Sequence, residues 1–506
     1  MVAAPAVAPL PQTRAEFVAE LVRCLNDSGV PWAWQGPTGA PAVWEGSDGP
    51  ADLDIWWNPT PDGRERAVAA VRALAPMAVI AESRDPRRLQ HLSLAVEIAA
   101  SLAVVDFTEG DLRVGPVLLV PAADVVVSAD GIDGAAGPHL VGVAGAADLL
   151  VRPLLRAKIP PDERLAQARA RWRAADPTAR LDAARRWGRE LGADSAAVLD
   201  VLDGAPPPDD LAQRMRRRLL KRTVAPAGLR AAWAQRWSVV PAGRSAGPLD
   251  LRTRGVVVAL VGTDGSGKST VARDLESRLG ALGYRTDEAY FGMARGNLPG
   301  VALARRVLGI AAEPDRTEAE SPSPEAAAGA ANDTSAALAE ASEPAAPDLS
   351  HAGIRQLAAW FYAVEYGWRY LRHVAPGVRR RAVVVCDRYV YDLRSSPWPG
   401  SPAATFAQWL VPAPDVLVLP DAPAELIHAR KPERRLAEQA QQQQEFRDLL
   451  AEKPARCAEL VLDTSGDDPD PVAPAVAAVV EASHRPRPSR RARRALRRHD
   501  GASARA

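Results

Sequence analysis

The sequence predicts a protein of two parts, of which the C-terminal part is an α/β fold with a parallel β-sheet flanked by helices. Two observations support this prediction. Short apolar runs recur at residues 256–261, 382–386 and 416–419, which is typical of buried parallel strands. Segments of helical length separate these runs, as crossover connections between parallel strands require.

Four regions are predicted along the chain. With 506 residues, the chain is too long for a single hydrophobic core. An α+β domain is expected at residues 1–141, and a helical segment with a linker follows at 142–248. The α/β domain occupies residues 249–482, and residues 483–506 form a tail.

The composition excludes several classes of partner. The 63 basic and 62 acidic residues give a net charge of +1, so no overall field attracts nucleic acid or a membrane surface. No apolar stretch reaches membrane-spanning length. Cys24, Cys386 and Cys457 lack metal-like or disulfide-like spacing. We therefore expect a cytoplasmic protein without a transmembrane segment or a specific nucleic-acid partner.

The N-terminal domain begins with a predicted helix at 15–25 and carries three candidate metal ligands. Asp52 and Asp54 alternate on a predicted strand, so both side chains point to one face. Asp106 is expected at the end of a neighbouring strand formed by residues 102–105. Three such carboxylates can hold divalent metal ions. The alternative interpretation is an exposed strand with solvated acids.

This arrangement resembles the DNA-polymerase-β-like nucleotidyltransferase superfamily, in which a glycine-rich turn precedes a strand with two aspartates. The resemblance implies a nucleotidyltransferase-like fold and assigns Asp52, Asp54 and Asp106 to the metal. One departure concerns the turn, where Gly36 is followed by Pro37 instead of a second glycine or a serine. Proline lacks the backbone donor that would bind a triphosphate, so the resemblance implies the fold more than the activity.

Helices are predicted at 144–158 and across 162–203, without a catalytic signature. The helix predicted at 211–222 carries six cations that could bind phosphate or anionic lipid. The favoured interpretation is a solvated helix face. A hinge rich in proline, glycine and tryptophan is expected at 226–248.

The strand at 256–261 leads into a glycine loop and then into an amphipathic helix. The loop reads Gly262-Thr263-Asp264-Gly265-Ser266-Gly267-Lys268-Ser269-Thr270. Backbone N–H groups of such a loop surround phosphate oxygens at a helix N-terminus, Lys268 reaches the β- and γ-phosphates, and Ser269 binds Mg²⁺. The predicted nucleotide-binding residues are Gly262, Gly265, Ser266, Gly267, Lys268, Ser269 and Thr270.

A later strand of the same predicted sheet ends in Asp387-Arg388-Tyr389. A carboxylate at the C-terminal edge of a parallel sheet lies where ligands collect. Asp387 is therefore a candidate Mg²⁺ ligand, and Arg388 is a candidate for binding an acceptor phosphate. Another strand is expected at 288–291, which lies in sequence between the glycine loop and the strand that ends at Asp387.

Cations cluster after the strand at 416–419, at Arg430, Lys431, Arg434 and Arg435. We interpret them as part of a mobile lid, in which Arg430 or Lys431 stabilises the charge of the transferring phosphoryl group. The alternative is an ordinary charged helix end. A last short strand is expected at 460–462.

Three further segments complete the predicted organisation. Residues 354–374 form an aromatic-rich helix whose side chains are expected mainly in the core. Residues 311–350 contain too little apolar surface to fold and are predicted to be a disordered insertion. The tail carries eight arginines between Arg485 and Arg498 and is also predicted to be disordered.

Together, the glycine loop, the Asp387-Arg388-Tyr389 strand end, residues 414–419 and Arg430-Lys431 resemble the thymidylate kinase family of P-loop kinases. The resemblance covers about residues 255–480 and implies a P-loop NTPase-type sheet, with ATP and Mg²⁺ as cofactors and a small-molecule phosphoryl acceptor. On the matched positions it implies a set of catalytic residues. These are Asp264, Lys268, Asp387, Arg388 and Arg430.

Two segments depart from that family. A P-G-x-T segment is replaced by Phe291-Gly292-Met293-Ala294-Arg295, and F-A-A-D-R is replaced by residues 361–365, which read F-Y-A-V-E. The donor side is thus kept and the acceptor side is altered, so that dTMP is one candidate acceptor among nucleoside monophosphates and other small molecules.

Three functions stay open at this point. The favoured one is an ATP-dependent kinase. The alternatives are a nucleotidyltransferase that acts through Asp52, Asp54 and Asp106, and a non-catalytic ATP-binding switch protein. A homodimer is also left open.

Overall fold

The structure is a computed structural model that describes residues 11–38, 44, 52–82, 90–128, 137–229, 253–291, 352–395, 401–432, 435–452 and 457–485. The predictions for the insertion at 311–350, most of the hinge at 226–248, Arg434 and the tail beyond residue 485 lie outside these residues. Among the helices described, none is both long and apolar enough to cross a membrane.

The N-terminal part contains a mixed five-stranded sheet. Its strands are β1 (Trp32–Trp34), β2 (Asp52–Trp57), β3 (Met77–Glu82), β4 (Gln90–Ile98) and β5 (Ser101–Glu109). The order is β1-β2-β5-β4-β3, and β2 runs parallel to β5 with Asp54 directly beside Asp106. Asp106 therefore lies inside β5 and not at the end of a strand, so the predicted end at residue 105 is wrong.

Two helices cover one face of this sheet, α1 (Arg14–Asp27) and α2 (Pro61–Leu74). The start of α1 is set by a capping box, in which the Thr13 hydroxyl accepts the Glu16 N–H and the Glu16 carboxylate accepts the Thr13 N–H. This reciprocal pair satisfies two backbone donors that the helix itself leaves open. The helix predicted at 15–25 is thereby confirmed.

A helical region follows, reached through four short strands that sequence analysis did not find. The strands are β6 (Leu112–Val114), β7 (Val117–Val120), β8 (Val126–Val127) and β9 (Leu140–Val141). Helix α3 (Gly142–Ala146) continues through a π-helical turn (Ala147–Val151) into α4 (Arg152–Leu155). The others are α5 (Asp162–Arg173), α6 (Pro177–Leu191), α7 (Asp194–Asp203) and α8 (Leu211–Val224).

The basic helix α8 uses part of its charge within the protein. Arg214 pairs with Asp194 and Asp210, and Arg222 pairs with Glu190. These contacts agree with a solvated structural helix better than with a phosphate-binding or lipid-binding face.

The C-terminal part is a five-stranded parallel sheet, which confirms an α/β fold. Its strands are β10 (Val256–Leu260), β11 (Thr286–Tyr290), β12 (Val383–Asp387), β13 (Val416–Asp421) and β14 (Ala458–Asp463), in the order β11-β12-β10-β13-β14. All four pairings are parallel. Every residue of the central strand β10 is buried, which explains its uninterrupted apolar sequence.

Helices cover both faces of this sheet. They are α9 (Lys268–Ala281), α10 (Ala352–Arg369) with a π-helical turn (Tyr370–Val374), α11 (Ala375–Arg379), α12 (Asp392–Ser395), α13 (Pro402–Leu410), α14 (Ala424–Arg430), α15 (Leu436–Ala451) and α16 (Ala473–His484). On α10, Tyr362 and Tyr366 are buried as predicted for a core helix, whereas Trp360 and Trp368 are partly exposed.

The two sheets share one layer of helices. Ala78 and Ile80 of β3 belong to the same apolar core as Leu275 of α9 and Val476 and Val479 of α16. Helix α16 therefore packs against both sheets. A shared core makes the two parts one packed body along this layer.

Polar contacts reinforce this shared helical layer. Arg278, near the end of α9, forms ion pairs with Glu97 of β4 at 2.7 Å and with Asp470. The Glu481 carboxylate of α16 accepts the Val79 N–H of β3 at 3.0 Å. Helix α16 extends to His484, beyond the predicted start of the tail at residue 483, because Ser483 is buried against the Tyr284 hydroxyl.

Candidate functional site

The glycine loop connects β10 to the first turn of α9. Gly262, Gly265 and Gly267 have φ angles of 137°, 89° and 98°, in the region that favours glycine. A Cβ atom at Gly265 would lie 2.7 Å from the Ile427 carbonyl oxygen and 3.1 Å from the Lys431 Cβ. This position therefore requires glycine for both its conformation and its close neighbours.

Lys268 folds back onto the loop that precedes it. Its buried Nζ donates to the carbonyl oxygens of Gly262 at 3.0 Å and Thr263 at 2.6 Å, and lies 3.4 Å from Asp264 Oδ1. Burial lowers the pKa of Lys268, and the Asp264 carboxylate opposes this effect. The ammonium is thus held inside the loop by acceptors that a phosphate oxygen could replace.

Arg388 forms the link between the loop and the end of β12. Its Nη2 donates to Asp264 Oδ1 at 2.5 Å and its Nη1 donates to Asp392 Oδ2 at 3.0 Å. Burial acts to raise the pKa of Asp264, but the Lys268 and Arg388 cations outweigh it and hold that pKa below its usual value. Burial raises the pKa of Asp392, against the influence of Arg388.

Arg388 also adopts a left-handed conformation, with a φ of 67°. Such a conformation costs a non-glycine residue on the order of 1 kcal/mol and is characteristic of functional sites. Its N–H donates to the Leu260 carbonyl at 3.0 Å, which anchors the strained residue to the strand that carries the glycine loop.

Asp387 ends β12 directly beside Leu260 of β10. Its Oδ1 is buried and has no hydrogen-bond partner among the described residues. An orphaned carboxylate oxygen at the C-terminal edge of the sheet suits Mg²⁺ or a water bound to Mg²⁺. The exposed hydroxyl of Ser269 lines the same cavity. The residues present therefore fit a magnesium ion.

A cavity of about 910 Å³ opens above the loop, within the range of ligand pockets. The predicted site residues on its wall are Asp264, Gly265, Gly267, Lys268, Ser269, Thr270, Asp387, Arg388 and Arg430. Gly262 and Ser266 lie in the buried part of the loop. Sequence analysis missed Tyr290, Asp392 and Thr464, which also line the cavity.

The predicted lid cations occupy different positions. Arg430 ends α14 and donates to the Thr464 carbonyl at 2.7 Å. Lys431 lies on the cavity wall next to it, whereas Arg435 directly precedes α15. Arg430 and Lys431 therefore line the cavity, and their role in a lid stays a prediction.

Two glutamines of α15 hold the glycine loop from the side. Gln443 accepts hydrogen bonds from the Thr263 N–H at 3.2 Å and the Thr263 hydroxyl at 2.9 Å. Gln439 donates to the Asp264 carbonyl at 2.8 Å. Sequence analysis missed both residues, because nothing in a run of glutamines distinguishes the buried members from the exposed ones.

We expect Gln443→Leu to destabilise the protein by about 1–3 kcal/mol, because the buried Thr263 N–H and hydroxyl lose their acceptor. The affinity for ATP should fall as well. Gln441→Leu is the matched control, since Gln441 is exposed and contacts Glu445 on its own helix. Denaturant unfolding and ATP titration of both variants measure the difference. Equal stability of the two variants would contradict the role given to Gln443.

A second polar cavity, of about 250 Å³, lies in the N-terminal part. Asp52, Asp54 and Asp106 line it, as do Arg152 and Arg156 of the helical region. No group of three or more His, Cys, Asp or Glu residues in the described chain is arranged to hold a metal ion. Sequence analysis missed Arg152 because it lies outside the region assigned to this domain.

Comparisons with known proteins add little to this geometry. No protein-family model matches the chain, and no curated protein matches it. Among solved structures, the thymidylate kinase of Ehrlichia chaffeensis is similar, with 16% identity over 44% of this chain and 95% of that chain, and a TM-score of 0.25. A likeness of this extent supports no conclusion about function.

Proposed function

We propose that the protein is an ATP-dependent phosphotransferase, which transfers the γ-phosphoryl group of ATP to a nucleoside monophosphate or another small acceptor. The observation that carries this proposal is one cavity wall that combines the glycine loop, the Lys268 ammonium and the orphaned carboxylate of Asp387. These are the parts that phosphoryl transfer needs for charge stabilisation and positioning.

On the donor side, the positive-φ glycines present backbone N–H groups, and the N-terminus of α9 adds its dipole. Lys268 exchanges its loop carbonyls for phosphate oxygens. Ser269 and Asp387 would hold Mg²⁺, which neutralises phosphate charge when bound. Each of these groups already lies on the cavity wall or in the loop beneath it.

On the acceptor side, Arg388 is held between Asp264 and Asp392. A guanidinium fixed by two carboxylates keeps a defined orientation. Its remaining N–H groups can still donate hydrogen bonds to an anionic acceptor. Arg430 and Lys431 contribute further positive charge to the cavity wall, and Lys431 lies beside the glycine loop. Tyr290 supplies an aromatic ring there, which suits a planar acceptor, and dTMP stays one candidate.

The test is transfer of labelled γ-phosphate from ATP to a panel of nucleoside monophosphates and other small acceptors. Asp387→Asn should lower kcat by about 10²-fold, the size of one electrostatic group in such sites. Asp287→Asn is the control, because Asp287 lies on β11 and pairs with Arg380. Transfer that Asp387→Asn leaves unchanged would refute the proposal. ATP binding without transfer to any acceptor would favour the switch protein instead.

A further inference from the structure

We propose that the guanidinium of Arg152 occupies the place that the resemblance gives to a divalent cation in the N-terminal acidic cavity, so that this cavity binds no metal ion. The resemblance to nucleotidyltransferases implies a metal held by Asp52, Asp54 and Asp106. The groups that surround these aspartates do not fit a site for a metal ion. This inference concerns a different site from the proposed kinase centre and does not rest on it.

The first observation concerns the turn after β1, where the described residues 36–38 have no unused backbone donor. The Gly36 N–H donates to Asp148 Oδ2 at 2.6 Å, and the Thr38 N–H donates to Gln167 Oε1 at 3.0 Å. Pro37 between them has no N–H. A triphosphate would therefore meet no free backbone donor at residues 36–38, and this part of the turn could not bind a nucleotide that carries a metal ion.

The second observation is the position of Arg152. Its Nη1 donates to Asp148 Oδ1 at 3.0 Å, and its Nη2 lies 3.7 Å from Asp54 Oδ1. Asp148 is 1% exposed, so a buried carboxylate fixes the guanidinium next to the candidate metal ligand. A second cation at Asp54 would be repelled by the positive charge already present.

The helical segment explains how Arg152 reaches the sheet. Asp148 lies in the π-helical turn and Arg152 begins the helix that follows it, four residues later. Such a turn is a frequent feature of functional sites. Burial acts to lower the pKa of Arg152, but Asp148 and Asp54 outweigh it and keep that pKa above its ordinary value. The charge is therefore permanent.

The third observation concerns buried oxygen atoms of the cavity that accept no hydrogen bond within the described structure. Gln35 is 3% exposed, lines the cavity, and its Oε1 has no partner among the described residues. Asp106 Oδ1 is likewise buried without a hydrogen bond in the described part of the chain, with His91 Nε2 3.8 Å away. These acceptors, with Asp52 and Asp54, become available to a metal once Arg152 no longer supplies the charge.

The experiment measures Mn²⁺ binding by the full chain, without nucleotide, from the electron paramagnetic resonance signal of free Mn²⁺. Wild type and Asp54→Asn should bind Mn²⁺ equally. Arg152→Met should gain a site, and its affinity for Mn²⁺ should be at least about tenfold higher than that of the wild type. This is the effect expected when one nearby positive charge is removed. Adding Asp54→Asn to Arg152→Met should abolish that gain.

Arg156→Met is the matched control, because Arg156 lines the same cavity but makes no ion pair with Asp54 or Asp148 within 4 Å in the described structure. It should gain no Mn²⁺ site. Wild-type binding that weakens in Asp54→Asn would overturn the proposal, and so would a folded Arg152→Met variant without the gain. The comparison of wild type with Asp54→Asn keeps the test decisive if Arg152→Met does not fold.

Discussion

Lys268→Ala is expected to lower kcat for phosphoryl transfer by about 10²-fold or more, the effect of removing one strong electrostatic donor from a phosphoryl-transfer site. The ammonium is the cation that lies inside the glycine loop itself, with two loop carbonyls and Asp264 as its present contacts. No other side chain in the described loop can supply this charge. The chain should stay folded, since the described contacts of the Lys268 ammonium are polar groups of the loop and not the apolar core.

The control for this prediction is Lys158→Ala, because Lys158 is an exposed lysine that follows α4, far from the glycine loop in sequence. Initial rates with ATP and the acceptor found in the screen give kcat and KM for both variants. Circular dichroism and the thermal midpoint check the fold. A folded Lys268→Ala variant with an unchanged rate would exclude the phosphotransferase proposal.

Ile80→Asp is expected to destabilise the whole chain by about 3–5 kcal/mol, because it places an unpaired charge in an apolar core. Ile80 lies on β3 in the N-terminal sheet, but it is 3% exposed and packs in the core shared with α9 and α16. The glycine loop leads directly into α9. A substitution in the N-terminal sheet should therefore destabilise the half that carries the glycine loop.

Thermal unfolding followed by circular dichroism and by loss of ATP binding measures this effect. Both signals should move to lower temperature together, as expected for one cooperative unit. Val126→Asp is the control, since Val126 lies on β8 and is 56% exposed. If Ile80→Asp leaves the midpoint of ATP binding unchanged, the shared core does not couple the two halves.

The C-terminal sheet and the glycine loop were predictable because their signals are local. The run at 256–261 is apolar because β10 is buried on both faces, and the glycines that follow occupy conformations that other residues avoid. Asp387 was predictable for the same reason. The strand that ends at this residue is buried, and its run of apolar residues indicates that burial.

The contacts that reshape the two sites were not predictable, because they join distant parts of the chain. Asp148 binds the Gly36 N–H across 112 residues, and Gln443 binds Thr263 across 180. Neither residue differs in its local sequence from an ordinary surface acid or amide. Strands β3 and β4 were missed as well, and the layer that joins the two sheets depends on β3.

The shared helical layer has a consequence for the order in which the chain is synthesised. Strand β3 ends at Glu82, whereas its cover α16 begins at Ala473. At about 5–20 residues per second, the ribosome needs roughly 20 to 80 s to produce the intervening chain. During that time the face of the nascent sheet that carries Ala78 and Ile80 lacks the part of its cover that α16 supplies, whereas α9 is made earlier. Helix α16, the last helix in the described residues, thus completes the core of a sheet that is synthesised long before it.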